Sequence, residues 1–119
     1  MHSHEAMAGR VLVLKPVGHL LGGPETDEIV SIAREFAARG DVGVLIDFDD
    51  VEYLNSLGLG ALTRILITCS RAHGLLRVCN VKDRVRRLFD VVKFHKLFDY
   101  HESESHALEA LSKELVAKV

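Results

Sequence analysis

Cysteine is scarce in this chain. Its two examples, Cys69 and Cys79, have no partner at C-x-x-C spacing and no histidine at zinc-ligand spacing. That argues against a redox or zinc site, and both thiols read as reduced, apolar core fillers. Charge of one sign is not in excess either: 15 basic residues face 17 acidic ones, for a net charge of −2. Nothing in this balance draws the protein to nucleic acid or to an anionic membrane. No stretch approaches the roughly 18 consecutive apolar residues of a membrane-spanning helix, and the N-terminus lacks the charged-then-apolar order of a secretory signal. A cytoplasmic protein with no membrane contact is expected. Repeats, linkers and low-complexity tracts are missing, which argues against a second domain. Five of the seven histidines, His19, His73, His95, His101 and His106, are dispersed, so neither a metal site nor a cofactor site is assigned.

What is present is an ordinary globular composition, 48% apolar and 27% charged over 119 residues. A chain of this length buries one core but not two. The opening MHSHEAMAGR, which carries His2 and His4, is polar, so residues 1–9 are read as a flexible leader and residues 10–117 as the folded domain.

Along the domain, apolar periodicity alternates between strand and helix. RVLVLKPVG, from Arg10 to Gly18, reads as a strand, with His19 to Leu21 as a possible second one. Pro24 suits a first helical turn, and Ile29, Ile32, Ala33, Phe36 and Ala37 fall on one face of a helix that stops at Gly40. Val42 to Ile46 is almost unbroken apolar sequence, as in a parallel strand covered on both faces. DFDDVEYLNS, too polar for a core strand, reads as a packed loop. A helix from Ser56 carries the stripe Leu59, Leu62, Leu66 and Cys69, widened by Leu57, Ile65 and Ile67, and closes at His73-Gly74. LLRVCNV is a further strand, and Asp83 to Leu97 a helix. Phe98 to Glu102 forms a short strand, and Ser105 to Ala117 a last helix capped by Ser103 or Ser105. This order predicts an α/β fold: a mixed, mostly parallel sheet of four to five strands packed with about four helices.

Function is concentrated in Asp47 to Leu62, DFDDVEYLNSLGLGAL. A hydroxyl, Ser56, sits where a loop meets a helix, followed by Gly58 and Gly60. Glycine inside a helix costs about 1 kcal/mol relative to alanine, so two in the first turns imply close approach of another backbone or of a partner. On physical grounds alone two readings stand side by side. Ser56 can simply cap the helix; alternatively the free N–H groups and positive end of the helix dipole there can accommodate a phosphoserine.

The segments VLIDF, DDVEYL and NSLGLGAL together resemble the STAS (sulfate-transporter and anti-sigma-factor-antagonist) domain family, whose pattern is an apolar strand ending in Asp, a short loop, then Asp-Ser-Ser/Ala-Gly-Leu-Gly opening a helix. The likeness extends from about Arg10 to about Ala117, through LLRVCNVKDRVRRLFD and SESHALEAL. It departs at Asn55, where the family usually has Asp, and at Leu57, where Ser or Ala is common. His19 to Leu21 also lacks an acidic residue that several members carry.

This resemblance implies an anti-sigma factor antagonist, a non-enzyme working by partner switching in transcription regulation. Its unmodified form would bind an anti-sigma factor serine kinase of the histidine-kinase-like ATPase fold and so release a sigma factor. Phosphorylation at Ser56 would end the binding, and a serine phosphatase would reset it. Asp47, Asn55, Ser56, Leu57, Gly58 and Leu59 are the implied partner-binding residues. Catalysis by Ser56 itself is not expected, since no His and acid are arranged with it and GLG is not a nucleophile elbow. Gly58-Leu59-Gly60 is too short for a nucleotide-binding fingerprint. Lys82, Arg84, Arg86, Arg87 and Lys93 are scattered between apolar positions and read as a solvated face. A second reading keeps the same fold with a different role, a constitutive STAS scaffold subunit of a stressosome-like or lipid-transport assembly.

Overall fold

Strands that are apolar on both faces must be covered on both faces, and that requirement sets the architecture. A computed structural model describes residues 1–117. In it the strands β1 (His2–Ala6), β2 (Val11–Lys15), β4 (Gly43–Asp47), β6 (Leu75–Cys79) and β7 (Tyr100–His101) form one sheet in the order β1-β2-β4-β6-β7. β4 is central, as its unbroken apolar run demands. All pairs are parallel except β1 with β2. Leu12, Leu14, Val44 and Ile46 point to one face, into a core shared with the helices α1 (Pro24–Ala37), α2 (Ser56–Arg71) and α3 (Asp83–Val91). Val11, Val13 and Leu45 point to the other, against Ala107, Leu111 and Leu115 of α4 (Glu104–Ala117). The α/β class, the predominantly parallel five-stranded sheet and the four helices agree with the sequence reading.

Four elements differ from it. The residues read as a flexible leader form β1, in antiparallel register with β2 from His2 opposite Lys15 to Ala6 opposite Val11. Glu5 binds the Arg39 guanidinium through both oxygens, at 2.9 and 3.0 Å, so an edge strand without β-branched residues is held from its flank. The stretch read as a loop contains β5 (Val51–Leu54), which pairs in parallel with β3 (Gly18–Leu20) in a separate two-stranded sheet. Val51 and Leu54 are fully buried while Glu52 is exposed, so both acid and apolar positions are accommodated by one strand.

The helix expected from Asp83 to Leu97 ends at Val91, and Lys93 turns left-handed (φ 62°) before a single 3-10 turn at Phe94–Lys96. Phe94 lies five residues beyond Phe89, about 140° around a continuous helix. The break lets Phe89, Phe94, Phe98 and Tyr100 join one aromatic cluster, with ring centroids 5.3 to 5.9 Å apart. Finally, Leu57 and Ile67 do not widen the buried stripe of α2. They are exposed, and the inner face is Gly58, Ala61, Leu62, Ile65 and Cys69.

Small residues on that face let α2 sit close. A side chain added at Gly58 would meet the Leu20 carbonyl oxygen at 2.4 Å, whereas one added at Gly60 would meet nothing within 4 Å. The two glycines therefore respond oppositely to the same change. Gly58→Ala is expected to destabilise by about 1–3 kcal/mol through overpacking against backbone. Gly60→Ala is expected to stabilise by up to about 1 kcal/mol through helix propensity. Urea unfolding of the two variants checks both signs, and equal effects would remove the close-approach explanation.

Candidate functional site

The site is built where β3, β5 and the start of α2 converge. Two parallel strands with hydrogen bonds out to Leu20 and Leu54 bring the Leu20–Gly23 turn beside the first turn of α2. Asn55 joins the two. Its backbone N–H donates to the Leu20 carbonyl (3.3 Å) and its Nδ2 donates to the Leu21 carbonyl (3.1 Å). Its Oδ1 accepts from the N–H groups of Leu57 and Gly58, at 3.0 and 3.1 Å. Asn55, with extended backbone (φ −106°, ψ −170°), is therefore the helix cap. An aspartate could match the acceptor role but not the bond to Leu21, because a carboxylate has no donor.

The capping reading of Ser56 is accordingly corrected: the residue before it does that work. Ser56 occupies the first helical position, is exposed, and among the described residues its hydroxyl has no hydrogen-bond partner. Because Asn55 already takes the Leu57 and Gly58 N–H groups, the helix start does not offer the open set of donors that the sequence suggested for a phosphate. A phosphate on Ser56 would stand in solvent.

Around Ser56 the surface is apolar. Leu57 is 61% exposed and Leu21 46% exposed. Leu57 lies over Gly22, whose φ of +85° and missing side chain leave room for it: a Cβ there would come within 2.6 Å of Leu57 Cδ1. Asn55 and Leu59 are half-buried and Gly58 is buried, so of the residues singled out in the sequence Ser56 and Leu57 are the exposed ones. Leu21 and Gly22 were not singled out. Gly22-Gly23-Pro24 is their one signal in the sequence, and such a run marks a turn without saying what the turn touches.

Asp47, like Gly58, is a predicted contact residue that is buried. It is 2% exposed, and its Oδ1 accepts from the Asp49 N–H (2.9 Å) and from Asn80 Nδ2 (3.0 Å). It fixes the exit of β4 from within. Burial and the nearby Asp47 carboxyl also hold Glu104, at the start of α4, above the usual carboxylate range.

The acidic loop likewise does not crowd Ser56. Asp49 and Asp50 precede β5 and Ser56 follows it, so four extended residues, about 13 Å at roughly 3.3 Å each, separate them. That exceeds the screening length of about 8 Å at physiological salt. Glu52 is paired with Lys82 at 2.9 Å, and Asp50 lies 3.8 Å from Lys15. Of the basic segment, Arg84 and Arg86 stack on Tyr53 and Tyr100, at 4.9 and 5.5 Å.

Neither cysteine is poised for chemistry. Burial pushes the Cys69 thiol up to about 11, and burial with the Asp47 charge pushes Cys79 up to about 12. Both are free and buried. Among the described residues, no group of three or more His, Cys, Asp or Glu side chains is placed to hold a metal ion, and no helix is long and apolar enough to cross a membrane.

Comparison with known proteins places this geometry. Staphylococcus aureus anti-sigma-B factor antagonist is 27% identical over 79 residues, which cover 66% of this chain and 70% of that protein. Among solved structures, the anti-sigma factor antagonist SpoIIAA in its unphosphorylated form superposes with a TM-score of 0.77 at 17% identity, covering 94% of this chain and 97% of the other. The phosphorylated form of the Bacillus cell fate determinant SpoIIAA gives 0.72 at 15% identity, over 92% and 99%. These structural likenesses establish a common fold. The STAS domain profile matches residues 8–108, through nearly the whole sheet and through the loop, cap and helix start around Ser56, and on that ground the chain belongs to the STAS domain family.

Proposed function

We propose that this protein is an anti-sigma factor antagonist in which Ser56 is the phosphorylated switch. Its unmodified form binds an anti-sigma factor serine kinase of the histidine-kinase-like ATPase fold, and a serine phosphatase restores that form after modification. The single observation carrying the reading is the free, outward hydroxyl of Ser56 beside a cap supplied by Asn55. A serine that served the fold would be engaged with it. The similarity to an anti-sigma-B factor antagonist of Staphylococcus aureus supports the class of partner.

The mechanism follows from what surrounds the hydroxyl. Exposed Leu21 and Leu57 offer an apolar contact that gains by losing water, and Ser56 directly precedes Leu57 in the first turn of α2. Gly60, with open space where a side chain would be, leaves that face flat. Phosphorylation adds roughly −1.5 to −2 charges and three strong acceptors at this point. With the helix-start donors already held by Asn55, the phosphate keeps its water and its charge. Closing the apolar contact then requires stripping that water, so binding is lost while the domain stays folded.

Two outcomes are expected. Intact-mass measurement of protein isolated from its own cells should show a singly phosphorylated species that is lost in Ser56→Ala, and Ser56→Asp should bind the anti-sigma kinase at least ten-fold more weakly than Ser56→Ala. Equal binding by the two variants would sink the switch, and a large stable complex carrying no phosphate would favour the scaffold role. The cap is tested separately by chemical denaturation. Asn55→Ala should lose about 1–2 kcal/mol, and Asn55→Asp should keep most of it through its acceptor and the helix dipole.

A further inference from the structure

Two surfaces, one apart from the Ser56 site and one meeting it only at Leu20, are left without partners, and they complement each other. The first is the corner joining α3 to β7. Val91, Val92 and Leu97 are exposed there, at 78%, 43% and 57%, an unusual density for seven residues of sequence. Arg87, Lys93 and Lys96 are interleaved with them and exposed, and among the described residues none has an ion-pair partner. Of the two acids on this corner, Asp90 is engaged by His95 (3.6 Å) and the Tyr100 hydroxyl (3.5 Å), and Asp99 lies 3.9 Å from Arg77. Left-handed Lys93 ends the helix here and turns the chain through a corner, the knob of the pairing that follows.

The second surface is a groove of about 280 Å³ between the β2–β3 connection and α1. Its floor is apolar, from Pro16, Val17, Leu20 and Ile29, and its wall carries Glu25 and Glu28. Both glutamates are exposed and, among the described residues, neither has an ion-pair partner. Asp27 faces the other way, toward Arg34 and Arg64. The volume is just under the roughly 300–1,000 Å³ of small-molecule sites, and the shape suits the tip of a chain corner.

We infer that the occupant of this groove is the α3 corner of a second copy of this chain. A basic, apolar knob meets an acidic, apolar groove, so the contact is complementary in both charge and hydration. One copy cannot satisfy itself: the groove hangs on β2, beside one edge of the sheet, and the knob leads into β7 at the other edge. The contact is head-to-tail, which generates rings or open chains rather than a two-fold dimer. It does not depend on modification of Ser56.

Sedimentation velocity over a range of protein concentrations tests the pairing. Wild type should self-associate at about 50 mM salt and dissociate toward monomer at about 500 mM, as screened charges require. Lys93→Glu/Lys96→Glu and Glu25→Lys/Glu28→Lys should each weaken association at least ten-fold, with circular dichroism unchanged because all four positions are exposed. An equimolar mixture of the two variants should associate again, since the reversed knob then fits the reversed groove. A wild-type monomer at every concentration, association that survives either double reversal, or failure of the mixture to recover would each overturn the inference.

Discussion

One side chain, Asn55, sets the position of everything that matters at the Ser56 face. It satisfies two N–H groups at the start of α2 and, with its own amide, closes the carbonyl of Leu21 on the neighbouring turn. Only a residue with both an acceptor and a donor does this, and only a cap placed one residue before Ser56 leaves the serine hydroxyl unused. Had Ser56 capped the helix, the same oxygen would have been needed for the fold. In the proposed switch, structural and functional duties are thus divided between adjacent residues, and a change in one need not disturb the other.

The cap works because its surroundings are rigid. Gly58 lets the helix start approach the backbone at Leu20, which is the distance over which Asn55 must reach. Further back, buried Asp47 holds the turn after β4 through the Asp49 N–H, and it binds Asn80, itself left-handed (φ 55°) after β6. The exits of the two inner strands are therefore tied together before the chain proceeds through β5 to Ser56. The apolar ladder of the central sheet supplies stability, while this smaller set of polar contacts supplies position.

Elements whose burial is one-sided or complete left a periodic trace in the sequence. The full burial of β4 is written as an unbroken apolar run, and α1 and α4 as stripes of period three to four. β1 and β5 left none, for different reasons. The edge strand HSHEA gains its place from backbone pairing and from Arg39, which lies over thirty residues away. β5 lies in a two-stranded sheet whose register shifts between Gly18 and His19, so its buried residues, Val51 and Leu54, stand three apart and not two. At the site, the residue type and junction of Ser56 were legible. The roles of Asn55 and Asp47 were not, because which side chain caps a helix and which acid is buried are settled by neighbours distant in sequence.

The exposed leucine beside Ser56 shows how the fold and the proposed role interlock. Leu57 projects from the first turn of α2, and the fold makes room for it by placing a glycine with φ of +85° beneath it at Gly22. That accommodation covers one side of Leu57 and leaves most of it in water. For stability a polar residue at this position would serve as well, and the proposed contact with another surface accounts for a leucine there. A charge arriving one residue away then acts where it has most effect, on a contact that depends on dehydration. It has little to act on within the domain, whose nearby donors are already paired. A modified hydroxyl would change the proposed binding surface without changing the fold, because Asn55 has left it out of the structural network.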